Sequence, residues 1–145
     1  MRIVLLGAAG FIGTNLTMKL AENKDNIITV VDKDKHFFST IQNKQYENVF
    51  IKESTLDLTT NFDELLENQD VIYHLVSTTV PTTSNQHIPQ ELISNVVFSS
   101  QLLDACLKNK IQKIIFINHK WISAKYKSKR NKQNKVKPIA RHKFF

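Results

Sequence analysis

The chain has 145 residues, of which 41% are hydrophobic and 23% are charged, as is typical of one globular domain. Its lone cysteine excludes an internal disulfide, and no Cys/His cluster has the spacing of a zinc site. The net charge of +7 is concentrated in residues 119–145, which carry eight Lys, two Arg and no acid, so residues 1–118 have a net charge of −3. We therefore expect a folded domain over residues 1–118 and a basic, disordered tail over residues 119–145, because the tail is poor in apolar residues.

The N-terminal apolar run reaches only from residue 3 to residue 6 before Gly7 interrupts it. Such a run is far too short for a secretory signal or a membrane span. Together with the lone cysteine, it predicts a cytoplasmic protein that does not enter a membrane.

Predicted strands and helices alternate along residues 1–118. Short apolar runs predict buried strands at residues 2–6, 26–32, 49–51, 71–76 and 111–117. Helical segments separate these runs and require right-handed crossovers between parallel strands. The sequence therefore predicts an α/β fold with a Rossmann-like, doubly wound parallel sheet in the order 3-2-1-4-5, truncated after the fifth strand.

Three of the predicted helices have recognisable features. In the first, apolar residues four positions apart are expected to face the sheet. Thr60 and Asp63 predict a capping box at the start of the second helix, and this helix runs to about Asn68. Pro89 opens a long third helix with apolar residues at helical spacing. The apolar rows are Ile12, Leu16 and Leu20 in the first helix and Leu92, Val96, Leu103 and Leu107 in the third.

All three glycines of the chain lie in the turn between the first strand and the first helix. Gly7 permits a tight turn, Gly10 lets a pyrophosphate approach the backbone, and Gly13 permits close packing of the helix. The amide groups of Phe11 and Ile12 open the helix, where the unpaired N–H groups and the helix dipole favour a diphosphate.

Asp32 lies nineteen residues after Gly13, at the end of the second strand. A carboxylate there accepts hydrogen bonds from the adenosine ribose and repels a 2′-phosphate, which predicts NAD rather than NADP as the cofactor. Lys33 and Lys35 are interpreted as solvated loop charges. The alternative is a purely structural glycine turn with Asp32 as an ordinary strand-end residue.

These motifs resemble the extended short-chain dehydrogenases/reductases, and more narrowly the NAD-dependent epimerase/dehydratase family typified by UDP-glucose 4-epimerase. The resemblance covers residues 1–118 and includes His74 to Ser77 and the pair Asn95 and Val96. It implies that Asp57 and Leu58 lie beside the adenine. It also implies that Val76, Ser77 and Thr78 line the path of NAD toward its nicotinamide.

The chain departs from the family where catalysis is expected. The family uses a Ser or Thr after the fifth strand and a Tyr-x-x-x-Lys pair on the next helix to move a proton while hydride passes to NAD. Here Ser123 is a poor substitute for the hydroxyl, and Tyr126 is followed four residues later by Arg130. We therefore assign no catalytic residue.

The abrupt change in composition near residue 118 suggests a truncated or frameshifted product, or alternatively a genuine short variant. His74 is interpreted as a packed core histidine rather than a metal ligand, and Cys106 as a small hydrophobic residue. Phe98 stands where the family tends to have glycine, so it either crowds the helix against the sheet or covers an otherwise exposed surface.

Three functions follow from these observations. The leading one is the NAD-binding N-terminal domain of a nucleotide-sugar epimerase/dehydratase that is catalytically incomplete and whose full-length relatives bind a UDP-sugar. The second is a non-catalytic dinucleotide-binding module or sensor. The third is nucleic-acid binding through the basic tail, although the composition of that tail favours solvation. The resemblance implies that the long helix from Pro89 would join a dimer bundle, although its usual partner helix is missing here, so a homodimer is left open.

Overall fold

The structure of the protein is a computed structural model that describes residues 1–76, 89 and 92–117. The strands in these residues are β1 (Arg2–Leu6), β2 (Ile27–Asp32), β3 (Val49–Glu53), β4 (Val71–His74) and β5 (Lys113–Phe116). The helices are α1 (Phe11–Ala21), a 3₁₀ helix (Lys35–Phe38), α2 (Ser39–Lys44), α3 (Phe62–Leu66), a π-helical turn (Leu92–Val97) and α4 (Phe98–Lys108). Within the described residues, no helix is both long and apolar enough to span a membrane.

The five strands form one parallel sheet in the order β3-β2-β1-β4-β5, which confirms the predicted fold class. The central strand β1 has its apolar side chains fully buried on both faces of the sheet. Val4 and Leu6 pack into a cluster with α3 and α4, while Ile3 and Leu5 pack into a second cluster that includes residues of α1 and α2. Helices therefore cover both faces, as is usual for parallel sheets.

Two strands are shorter than predicted. β4 ends at His74 rather than at Val76, because the chain then turns over the glycine-containing loop. β5 begins at Lys113 rather than at Ile111, since the amides of Ile111 and Gln112 bond to the carbonyl groups of Cys106 and Asp70 as the chain turns from α4 into the strand.

The prediction that Ile12, Leu16 and Leu20 of α1 face the sheet is wrong for the first of them. Ile12 is 51% exposed, and Leu16 and Leu20 are only partly buried. The fully covered row consists of small residues, namely Gly13, Thr17 and Ala21. At Gly13 a side chain is excluded because α1 begins so close to the backbone of the glycine turn that a Cβ atom would collide with Ala8.

The start of α3 also differs from the prediction. Asn61, not Thr60, is the N-cap, and its side-chain oxygen accepts a hydrogen bond from the Glu64 amide at 3.3 Å. The Thr60 hydroxyl instead accepts the Asp57 amide at 2.9 Å, so it closes the preceding turn. The helix ends at Leu66 rather than near Asn68, which has a positive φ of 58°.

The apolar row predicted for the long helix lies on its exposed side. Leu92, Val96, Leu103 and Leu107 are all at least 40% exposed, with Leu107 reaching 79%. The sheet is instead covered by another row, and this row consists of Phe98, Leu102, Ala105 and Cys106. Apolar residues therefore occur on two sides of this helix, and spacing alone could not distinguish the buried side.

Phe98 fills the space between α3, α4 and β4. Its side chain is buried, and its ring meets Phe62 edge-on at 5.2 Å and His74 edge-on at 5.7 Å. It is therefore part of the core rather than a cover for exposed surface. Cys106 is buried in the same cluster, and this burial raises the pKa of its thiol, which confirms its interpretation as a small hydrophobic residue.

Candidate functional site

The three glycines of the turn after β1 differ in how much space surrounds them. Gly7 has a φ of +76°, and a Cβ atom on it would lie 2.9 Å from the backbone nitrogen of Val76. A Cβ atom on Gly13 would lie 2.3 Å from the carbonyl oxygen of Ala8. A Cβ atom on Gly10, in contrast, would project into open space, with nothing within 4 Å. Gly7 and Gly13 are thus required by the fold, whereas Gly10 leaves a free approach to the backbone.

The amide groups of the turn divide into two sets. Those of Gly7 and Ala8 donate to the carbonyl oxygen of Val31, at 2.9 and 3.1 Å, and so fasten the turn to β2. The amide groups of Phe11, Ile12 and Gly13 form the first turn of α1, whose N-cap is the side-chain-free Gly10. First-turn amides have no acceptor within their own helix, and the helix dipole adds positive potential there. This end of α1 can therefore bind an anionic group.

Asp32 fastens the same turn from the end of β2. One carboxylate oxygen accepts the Ala9 amide at 2.9 Å, and the other accepts the Lys33 amide at 2.8 Å. These two bonds fix the direction of the carboxylate. Because each carboxylate oxygen has further acceptor capacity, the group can still bind hydroxyls from a ligand. The structural role of Asp32 and a ligand-binding role are therefore compatible.

Two cavities meet over the glycine turn at the carboxyl ends of the strands. The first, here called the Asp32-side cavity, has a volume of about 520 Å³. The second, the Ile117-side cavity, has a volume of about 440 Å³ and extends toward the end of β5. Both are lined by Gly7, Gly10, Leu75 and Val76, so together they form a cleft across the centre of the sheet. In open α/β sheets this is where ligands bind.

Most of the predicted site residues in the described part of the chain lie in this cleft. Gly7, Gly10 and Val76 line both cavities, and Asp32 lines the first of them. Phe11, Ile12 and Gly13 line the second, where the Phe11 side chain is 86% exposed. Ser77 and Thr78 lie outside the described residues, as does the whole of the predicted tail.

Asp57 and Leu58 do not line either cavity of the cleft. Leu58 lines a separate cavity beside α3 and α4, and Asp57 lies in the exposed turn before α3. There its carboxylate accepts hydrogen bonds from the Thr59 hydroxyl and amide, which lower the pKa of Asp57. The structure instead places Thr55 and Leu56 in the Asp32-side cavity.

The sequence analysis did not identify several residues that line the cleft. Thr55 and Leu56 follow β3 closely, and the carboxyl end of each parallel strand meets the cleft. That rule selects them in addition to the predicted pair Asp57 and Leu58. The same rule selects Leu75 after β4 and Ile117 after β5. Lys33 also lines the Asp32-side cavity.

His74 is a buried core histidine, as predicted. Its ring packs against Phe98 and Phe116, and its Nε2 atom lies 3.2 Å from the Ser99 hydroxyl. Burial lowers the pKa of His74, so the imidazole is neutral at pH 7. Among residues 1–76, 89 and 92–117, no group of His, Cys, Asp or Glu side chains could hold a metal ion.

The fold and the cleft define a Rossmann-like nucleotide-binding architecture, and comparison with known proteins gives the family. The model of the NAD-dependent epimerase/dehydratase family matches residues 3–142. The chain belongs to this family. The match continues beyond residue 118, where the sequence analysis ended the resemblance.

The most similar curated proteins include one bacterial and one eukaryotic relative. The chain is 29% identical to an uncharacterised UDP-glucose epimerase of Bacillus subtilis over 97% of its own length and 46% of the relative. It is 30% identical to the dTDP-D-glucose 4,6-dehydratase of Dictyostelium discoideum over 81% of its length and 28% of the relative. The chain thus spans less than half the length of these relatives.

Solved structures agree with the family assignment. A UDP-glucuronic acid 4-epimerase from Bacillus cereus, in complex with UDP-glucuronic acid and NAD, has a TM-score of 0.72 and 28% identity. The similarity covers 83% of this chain and 40% of that one. A UDP-N-acetylglucosamine 4-epimerase from Methanobrevibacter ruminantium has a TM-score of 0.66 and 27% identity over 79% of this chain and 36% of that one.

Proposed function

We propose that this chain binds NAD in the cleft over the glycine turn, as the cofactor-binding part of a nucleotide-sugar epimerase/dehydratase. The observation that carries the proposal is the open backbone at Gly10, which lines both cavities and where a Cβ atom would have nothing within 4 Å. The pyrophosphate would bind the first-turn amides of Phe11, Ile12 and Gly13. This position uses both the free amides and the helix dipole.

The adenosine half of NAD would occupy the Asp32-side cavity. The Asp32 carboxylate, already oriented by the amides of Ala9 and Lys33, would accept hydrogen bonds from the ribose hydroxyls. Thr55 and Leu56 would border the adenine from the cavity wall. The family resemblance adds Asp57 and Leu58 beside it. The remaining half of NAD would extend into the Ile117-side cavity along Val76. By the family resemblance, it would then continue toward Ser77 and Thr78.

NAD supplies hydride transfer when it is bound, but the chain's own residues do not provide the proton-transfer group that the family requires. Ser123, Tyr126 and Arg130 do not match the family pattern. We therefore propose that the chain binds NAD without completing catalysis, and that a UDP-sugar requires parts found in the longer relatives. A non-catalytic dinucleotide-binding module fits the same site.

Titration with NAD and NADP tests this proposal. Calorimetry should show NAD binding to the wild-type chain and weaker NADP binding, because Asp32 repels a 2′-phosphate. Replacing Asp32 with Asn should weaken NAD binding by about tenfold or less and narrow the difference between the two cofactors. A matched control is Asp25→Asn, on the surface after α1. Equal binding of NAD and NADP by the wild type would contradict the role given to Asp32.

The assembly and compartment of the chain are also proposals. A homodimer is supported by the apolar residues exposed along one side of the π-helical turn and α4, and sedimentation at several concentrations would test it. A cytoplasmic location is supported by the unpaired, buried Cys106. Binding through the basic tail concerns residues outside the described part. It would be revealed by oligonucleotide affinity that falls steeply with salt.

A further inference from the structure

His74 lies where the cleft meets helix α4. It is the last residue of β4 and is paired in register with Leu6 of β1 and Phe116 of β5. Its side chain is only 7% exposed, yet it borders the Ile117-side cavity. The residue therefore contacts both the sheet core and the proposed ligand space.

Three neighbours hold the imidazole in one orientation. The ring meets Phe98 edge-on at 5.7 Å and lies against Phe116 at 4.9 Å, with an angle of 34° between the planes. The Ser99 hydroxyl lies within hydrogen-bond distance of Nε2, at 3.2 Å. Because a hydroxyl can donate or accept, it satisfies Nε2 in either neutral tautomer. Ser99 belongs to the first turn of α4, directly after the π-helical turn.

The two residues after His74 form the wall shared by both cavities. The Leu75 amide donates to the carbonyl oxygen of Leu6 at 2.9 Å. The backbone of Val76 comes so close to Gly7 that a Cβ atom on Gly7 would collide with the Val76 backbone. Binding sites require their walls to be held to within about 0.5 Å, so a small shift of this segment would change the shape of the cleft.

We propose that His74 is a positioning residue of the dinucleotide site: by bonding to Ser99, it ties Leu75 and Val76 to α4 and holds them against Gly7. This inference rests on the proposed function, because it assigns His74 a role toward the same ligand. His74 acts through the adjoining backbone and takes no part in hydride or proton transfer. Its hydrogen bond links a cleft wall to a helix that lies outside the cleft.

A double-mutant cycle in the full chain tests the role. Ser99→Ala removes only the hydroxyl, and His74→Phe keeps a planar ring but removes Nε2. Each should raise the Kd for NAD by about threefold to tenfold, as expected for one lost hydrogen bond. The double variant should bind no more weakly than His74→Phe alone, since both changes break the same contact. His74→Gln, whose amide nitrogen can take the place of Nε2, should recover most of the affinity.

Cys106→Ala is the matched control. Cys106 is buried in the same cluster on α4 but does not line the cleft, so its loss should lower the free energy of unfolding and leave the Kd unchanged. Wild-type affinity in both Ser99→Ala and His74→Phe would overturn the proposal. An equal loss of affinity in Cys106→Ala would also overturn it, because general destabilisation would then explain the effect. Failure of the wild-type chain to bind NAD would instead reject the dinucleotide site, and with it the role of His74.

Discussion

Helices α1 and α4 cover opposite faces of the same sheet in different ways. α1 presents Gly13, Thr17 and Ala21 to the strands, whereas α4 presents a row that begins with Phe98 and Leu102. The small row lets the start of α1 lie against the glycine turn, which is where the proposed pyrophosphate site requires backbone amides. The large row of α4 fills the core, where Phe98 packs against His74, and Ser99 of the same helix lies 3.2 Å from Nε2 of His74, which lines the Ile117-side cavity. The helix that begins at the glycine turn thus approaches the strands through small residues, whereas α4 approaches them through large side chains.

The largest expected loss of stability comes from opening a cavity beneath α4. Phe98→Ala removes a ring buried against Phe62 and His74, and it should lower the free energy of unfolding by roughly 3–5 kcal/mol. Leu107→Ala, on the exposed side of the same helix, should change it by less than about 0.5 kcal/mol. Urea unfolding curves measure both values. Similar losses in the two variants would show that the buried side of α4 is assigned wrongly.

A smaller effect is expected from added volume beneath α1. Gly13→Ala would place a methyl group 2.3 Å from the Ala8 carbonyl oxygen, so it should cost roughly 1–3 kcal/mol of stability. Gly10→Ala adds the same group to open space and should cost less than about 1 kcal/mol, mainly through a poorer N-cap. Urea unfolding of the two variants compares these costs. The comparison fails if Gly10→Ala is the more destabilised of the two.

The smallest expected effect concerns pH and the neutral His74. Its pKa in the folded protein is lowered by burial, so the unfolded chain binds a proton more readily than the folded chain does. The associated stability is present above the ordinary histidine pKa of about 6.5 and is lost as the pH falls below that value. His74→Gln should therefore lose less stability than the wild type between pH 7.5 and pH 5. Identical pH dependence in the two proteins would contradict the buried, neutral state.

The strand order and the glycine turn were predicted well because they depend on short sequence patterns that have few competing interpretations. A short apolar run bounded by turn residues and rich in β-branched side chains is typical of a buried strand of a parallel sheet, and Gly7, Gly10 and Asp32 stand at fixed places around it. Which side of each helix is buried was harder to predict. Leu92 and Leu107 have the spacing of a core row, but Phe98 and Leu102 compete with them, and only tertiary packing decides.

The adenine side of the site shows a different limit. Asp57 and Leu58 are predicted to lie beside the adenine from the family resemblance alone, and this stays a prediction, because neither residue lines the two cavities of the cleft. Thr55 and Leu56, which lie nearer the end of β3, line the Asp32-side cavity. Residues in the variable loops after strands are therefore harder to assign from a short motif than residues at the end of a strand.

The most direct measurement is calorimetric titration of NAD into the wild-type chain and into Gly10→Val, with Glu22→Val at the far end of α1 as the control. The account predicts that all three proteins fold, that the wild type and Glu22→Val bind NAD with equal affinity, and that Gly10→Val does not bind it, because the added side chain fills the approach to the first-turn amides. Unchanged NAD affinity in a folded Gly10→Val variant would contradict the position of the pyrophosphate and, with it, the site.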